Sequence, residues 1–144
     1  MSVEIEVADE ATDELLEAFG LLLPQLSRTA KPLDRAALTR MFSCDSNTVL
    51  IARDGGRVIG TLTLVMFPIP SGLRARIEDV VVDDSARGQG VGGALTEHAL
   101  RLARAEGART VDLTSRPERA SANRLYEKLG FQARESRVYR FTME

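Results

Sequence analysis

The chain has 144 residues, a formal net charge of −2, one histidine and one cysteine. That length fits one domain with a substantial core, and the near-balanced charge supplies no basic field for nucleic acid. The lone Cys44 excludes an internal disulfide framework and any multi-cysteine metal site, and the lone His98 excludes His-rich metal sites and argues against a His-centred triad.

No apolar run approaches the roughly 20 residues that span a bilayer. The acidic start, Met1-Ser-Val-Glu-Ile-Glu, lacks the basic and apolar parts of a secretory signal. The expectation is a cytoplasmic protein that binds neither membrane nor nucleic acid.

Residues 3–7 alternate apolar and polar, the period of a half-buried strand. Residues 9–23 carry a helical pattern, with Asp9 and Thr12 as alternative caps and Pro24 just beyond. Pro32 and Asp34 favour the start of a short helix over 33–42. Strands over 48–53 and 57–67 flank Asp54-Gly55-Gly56, a strong hairpin turn. Pro68, Pro70 and Gly72 break that pattern before a strand over 73–82, whose apolar end suits a central position covered on both faces. Val91, Ala94, Leu95, Ala99, Leu102 and Ala103 give the helix over 90–106 one buried face, and Gly107 stops it. A short strand over 110–114, a helix over 120–129 closed by Gly130, and a final pair of strands over 131–135 and 138–143 complete the chain. An antiparallel front followed by β-α-β crossovers predicts one α/β domain over residues 1–144, a mixed sheet with helices on both faces.

The stretch from Ile77 to Leu95 combines a strand, a polar loop with Arg87, the glycines Gly88, Gly90, Gly92 and Gly93, and the first turn of a helix. Open backbone N–H groups at a helix start suit a phosphate or pyrophosphate. The P-loop pattern fails: Gly88 and Gly93 are followed by Ala94 and Leu95, with no lysine for phosphates and no hydroxyl for magnesium. The dinucleotide pattern matches Gly88, Gly90 and Gly93, with Asp112 near the ribose position, yet residues 83–87 separate the glycines from the strand and too little chain follows for repeated crossovers.

A third pattern joins Arg87-x-x-Gly90-x-Gly92, after Val80-Val-Val82, to a downstream helix reading Asn123-Arg-Leu-Tyr126-Glu-Lys-Leu-Gly-Phe131. In these motifs the sequence resembles the GCN5-related N-acetyltransferase (GNAT) family. The resemblance implies a central, mostly antiparallel twisted sheet with a splayed central strand pair and helices on both faces. It implies acetyl-CoA as co-substrate, an amine acceptor and no metal. Coenzyme pyrophosphate would lie over Arg87, Gly88, Gln89, Gly90, Val91, Gly92 and Gly93, and the pantetheine arm would lie beside Val80, Val81 and Val82. Tyr126 matches the family's general acid, protonated at neutral pH and able to donate to a departing thiolate. Asn123, three residues earlier, is a candidate pantetheine contact. The family's usual asparagine seven residues before the tyrosine is replaced by Arg119.

Glu78 is the candidate general base, placed by simple alternation on the face of Val80 and Val82 unless a bulge intervenes, with Asp79 as its rival. Either acid has an alternative as the partner of Arg74 or Arg76. For Tyr126 the alternative is a packed core tyrosine, and for Arg119 a solvated surface arginine. His98 reads as a packed or solvated side chain, and Cys44 lacks basic neighbours to activate it. The resemblance implies direct transfer of acetyl to a primary amine of a small molecule, peptide or protein, and the lack of an activated Ser or Cys nucleophile agrees with it. A non-catalytic acyl-CoA-binding sensor or scaffold of the same fold is the alternative, and a dinucleotide-binding domain is a more distant one. A homodimer through terminal strands is compatible with the resemblance.

Overall fold

The alternating first strand and the glycine-rich turns come together as one sheet in the computed structural model, which describes residues 2–143. Met1 and Glu144, the ends of the expected domain, lie outside the described residues. The chain gathers into two compact units, Met1–Leu113 and Thr114–Glu144.

The first unit contains β1 (Val3–Ala8), α1 (Asp13–Leu26), α2 (Arg35–Ser43), β2 (Asn47–Asp54), β3 (Arg57–Ile69), β4 (Gly72–Val82), a 3-10 turn (Asp84–Ala86), α3 (Val91–Ala105) and β5 (Thr110–Asp112). Its sheet runs β1-β2-β3-β4-β5. The first three pairings are antiparallel and β4–β5 is parallel, as expected when α3 carries the chain across. Thr12 rather than Asp9 caps α1, its hydroxyl accepting from the Leu15 N–H at 3.2 Å. The helix also continues past Pro24 to Leu26, within the usual uncertainty of a helix end. Asp34 caps α2 through the Ala37 N–H at 2.8 Å.

Register assigns the two faces. Ile51 pairs with Thr61 and Ala52 with Gly60, so consecutive residues face opposite sides. Leu15 and Phe19 of α1 and Leu38 of α2 pack with Val49 and Ile51 on one face. On the other, α3 buries Val91, Leu95, Ala99 and Ala103, the four-residue repeat of a single helical stripe. Arg53 adds a polar tie, its guanidinium reaching both carboxylate oxygens of Glu14 on α1 (2.7 and 2.8 Å) and Glu6 on β1. The bonds from Arg53 to Glu14, with the Arg53 charge, hold the Glu14 carboxyl below its ordinary value.

α3 approaches β3 closely because Gly60 has no side chain. A Cβ there would lie 3.2 Å from the Val81 carbonyl oxygen, 3.3 Å from Val91 Cγ1 and 3.4 Å from Leu95 Cδ1.

In the second unit, α4 (Ala120–Lys128) follows an irregular loop. The expected strands over 131–135 and 138–143 are not formed; no helix or strand occupies residues 131–143. Tyr139, Phe141 and Met143 keep their alternation but are 86%, 87% and 83% exposed. Alternation specifies which side of a strand would be apolar, whereas a strand also requires a neighbour for its N–H and C=O groups.

Gly60→Val should overpack the α3–β3 contact and lower the unfolding free energy by about 1–3 kcal/mol. Urea unfolding checks this: the midpoint should fall with an unchanged slope, and a midpoint at the parent value would refute the close-packing argument.

Candidate functional site

The β3–β4 ladder is interrupted where the sequence places the base. Thr63 pairs with Glu78 and Thr61 with Val81, so Leu62 alone lies opposite Asp79 and Val80. This is a β-bulge with its extra residue on β4. Asp79 sits there at φ 49, and among the described residues no other non-glycine has a left-handed φ. The bulge corrects the expected side-chain order. Residues directly opposite share a face, so Glu78 lies with Thr63, Thr61 and Val81, whereas Val82 lies with Gly60 on the α3 face.

Glu78 is exposed and its Oε2 accepts from Arg76 Nε at 3.1 Å, realising the expected ion-pair alternative. Asp79 is also exposed as a whole residue, yet partial desolvation of its carboxyl first, and the adjacent Glu78 charge second, raise that carboxyl above its ordinary value.

β4 pairs with β5 only over Arg74–Arg76. Among the described residues, 77–82 therefore run on with β3 as their sole paired neighbour in the sheet. That bare edge carries Val80, Val81 and Val82 and leads directly into the glycine turn.

The turn is built for close approach. Gly88 and Gly90 hold φ of 78° and 82°, and a Cβ on either would meet no protein atom within 4 Å. Gly90 is the N-cap of α3 and supplies no side-chain bond, unlike Thr12 and Asp34 at the starts of α1 and α2. Gln89 is exposed, Val91 is buried in the core, and Gly92 and Gly93 lie in the first turn of the helix. The first N–H groups of α3 thus face open space at the positive end of the helix dipole, the arrangement that holds an anion. The Arg87 guanidinium turns back to the Val82 carbonyl at 3.4 Å and to Asp84 at 3.0 Å.

A polar cluster ahead of this turn was not legible in the sequence. The Asp83 carboxylate accepts from Gln25 Nε2 at 2.9 Å, from the Ser85 N–H at 3.1 Å, from the Ser85 hydroxyl, and from Arg57 at 3.1 Å. Gln25 Oε1 in turn accepts the Asp84 N–H at 2.9 Å. The bonds from Gln25 and Ser85, assisted by the Arg57 charge, hold the Asp83 carboxyl down to about 2. Asp83-x-Ser85 is a local capping pattern that sequence can suggest; the Gln25 contact, 58 residues away, has no such signal.

In the second unit, Tyr126 is half-buried on α4 and packs edge-on against Phe131, ring centroids 5.7 Å apart. Burial raises its phenol above the ordinary value, against a smaller lowering by Arg119. Asn123 bonds the preceding loop: Oδ1 accepts from the Ser115 hydroxyl at 2.5 Å and Nδ2 donates to the Arg116 carbonyl at 3.0 Å. Arg119 is the N-cap of α4. His98 is half-buried, and burial with the Arg101 charge favours its neutral form. Cys44 is exposed at the end of α2.

Comparison with known proteins gives a consistent picture. The acetyltransferase (GNAT) family model matches residues 9–131. Glucosamine 6-phosphate N-acetyltransferase of Trypanosoma brucei brucei is 35% identical over 132 residues, 90% of this chain and 83% of that one. The crystal structure of a Trypanosoma brucei acetyltransferase matches with a TM-score of 0.80 at 32% identity, over 99% of this chain and 100% of that chain. That of a transcriptional regulator from Bacillus halodurans C-125 matches with a TM-score of 0.82 at 29% identity, over 98% and 100% respectively.

A depressed carboxyl stabilises the fold fully above its unfolded value, about pH 4, and loses that contribution as pH falls through its folded value, about 2. Asp83→Asn should therefore lower the melting temperature at neutral pH and flatten the loss of stability between about pH 4 and pH 2. Melting curves across that range test it; an unchanged acid slope would exclude Asp83 as a contributor.

Proposed function

The chain belongs to the acetyltransferase (GNAT) family, and from that premise we propose that it moves an acetyl group from acetyl-CoA directly to the primary amine of a small molecule. The carrying observation is the bare edge of β4 running into the uncapped, glycine-lined start of α3. Residues 1–144 act as a single domain in this reading, supported by a family match that runs through both compact units.

Main-chain N–H groups from Arg87 to Gly93 take the coenzyme diphosphate, with the α3 dipole favouring its charge. The pantetheine arm adds to the β4 edge at Val80, Val81 and Val82 as an extended strand would. The bulge supports this role, because the extra residue leaves main-chain groups outside the ladder. One of these N–H groups donates to the thioester oxygen as it becomes an oxyanion. Asn123 serves through the loop it holds.

The amine must be neutral to attack, and an unperturbed alkylamine has a pKa near about 10. Glu78 and its neighbour Asp79 supply the proton acceptor. Desolvation raises the Asp79 carboxyl above its ordinary value, which suits a proton acceptor. The amine nitrogen bonds to the carbonyl carbon, and the collapsing tetrahedral intermediate breaks the C–S bond. The departing sulfur takes the phenolic proton of Tyr126, which its raised value keeps in place throughout the neutral range.

The relative named glucosamine 6-phosphate N-acetyltransferase supports an amino-sugar phosphate as the first acceptor to test. Calorimetry with acetyl-CoA, followed by thiol release across a panel of amines, tests the reading as a whole. Tight coenzyme binding with no turnover on any amine would favour an acyl-CoA sensor instead, and absence of binding would reject both.

Four variants test the parts. Gly90→Asp fills the open space with a carboxylate and should abolish acetyl-CoA binding; retained affinity would place the diphosphate elsewhere. Tyr126→Phe should lower kcat by about 100-fold with coenzyme affinity preserved, and a normal rate would remove Tyr126 from the mechanism. If Asp79 is the acceptor, activity falls as acid protonates it, and Asp79→Asn should remove that acid limb from the pH–rate profile. If Glu78→Gln removes the limb and Asp79→Asn leaves it, the assignment passes to Glu78.

A further inference from the structure

Gln25 stands at the end of α1, outside the bare β4 edge and the glycine turn, yet both ends of its amide are engaged. Nε2 donates to Asp83 Oδ1 at 2.9 Å and to the Leu21 carbonyl at 3.1 Å, and Oε1 accepts the Asp84 N–H at 2.9 Å. The partners fix the orientation, because a carboxylate only accepts and a backbone N–H only donates. Asp83 and Asp84 begin the short 3-10 turn that leads into Arg87 and the glycines. That turn is rigid: the Ala86 N–H bonds the Asp83 carbonyl at 2.9 Å, Ala86 is buried, and the Asp83 N–H bonds the Ile59 carbonyl at 2.8 Å.

We propose that Gln25 is a positioning residue for the coenzyme, a two-ended amide clamp by which α1 holds residues 83 and 84, and through them the phosphate-binding turn, in place. The proposal rests on the acetyl-CoA reading above. It makes α1 a determinant of coenzyme affinity although Gln25 itself touches no coenzyme.

Gln25→Glu keeps the acceptor for the Asp84 N–H but sets a carboxylate against Asp83. The other charges around this position are Arg57 on β3, which pairs with Asp83, Asp84, which pairs with Arg87, and Glu14 and Glu17, which share a groove with Arg57 and Asp83. The carboxylates supply no donor in place of the lost N–H, and the Arg57 guanidinium is already engaged with Asp83 Oδ2 and the Ser85 hydroxyl. Acid protonates the introduced carboxyl and restores one. Gln25→Met removes the bonds without adding charge.

Calorimetric titration of the full chain with acetyl-CoA, at about pH 8 and about pH 5, tests the clamp. Gln25→Glu should weaken binding by about 5–10-fold at the higher pH, with kcat within about twofold of the parent, and most of the loss should disappear at the lower pH. Gln25→Met should weaken binding at both pH values alike. Parent-like affinity in both variants, or a fall in kcat with affinity unchanged, would overturn the proposal. If the parent chain itself fails to bind acetyl-CoA, the functional reading falls first. Melting curves identify a variant that has lost its fold, and the other variant then decides.

Discussion

The geometry of the first unit depends on the approach of α3 to β3 at Gly60. The position of an absent Cβ, 3.3 Å from Val91 Cγ1 and 3.4 Å from Leu95 Cδ1, sets how near the helix lies to the sheet. Val91 and Leu95, at 1% and 0% exposure, leave no slack in the helix that follows. The chain must therefore leave β4, turn within a few residues and enter α3 at a fixed point. The glycines at 88 and 90 permit that turn, and packing makes it necessary. An uncapped helix start beside a bare strand edge is the consequence, and the candidate chemistry of the first unit depends on it.

Much of this was legible in the sequence because the signals are local. The caps at Thr12 and Asp34, the Gly55-Gly56 hairpin, the buried stripe of α3 and the glycine turn each depend on residues a few positions apart. The bulge was foreseen only as an exception to alternation, and its position was not legible. Glu-Asp-Val-Val-Val contains no glycine and no break in pattern, and the extra residue becomes visible only when Thr61 and Thr63 are set opposite it. The expected face of Glu78 therefore changed. The Gln25 clamp was hidden for the opposite reason, since it joins residues far apart in sequence. The closing strands failed through a third cause: residues 138–143 carry alternation, but the ladder partner that would make them a strand lies outside their own sequence.

The titrating groups sort by environment. Asp83, surrounded by donors, is held ionised. Asp79, four residues earlier on β4, is pushed toward its neutral form by desolvation and by its acidic neighbour. Tyr126 is likewise held protonated by burial. A carboxylate made more basic and a phenol made reluctant to ionise suit a proton acceptor and a proton donor respectively. The first carboxylate belongs to the scaffold, and the second is the proposed proton acceptor.

The irregularity at Asp79 also has a cost. A non-glycine residue in left-handed backbone is disfavoured by about 1–3 kcal/mol, and the ladder loses regularity beside it. A version of this strand one residue shorter would pair evenly with its neighbour and make a more stable protein. It would also have no unmatched main-chain groups to offer a ligand. In this fold, tidiness and usefulness are in opposition at a single position, and selection for heat resistance alone would be expected to erase the feature on which the proposed site rests.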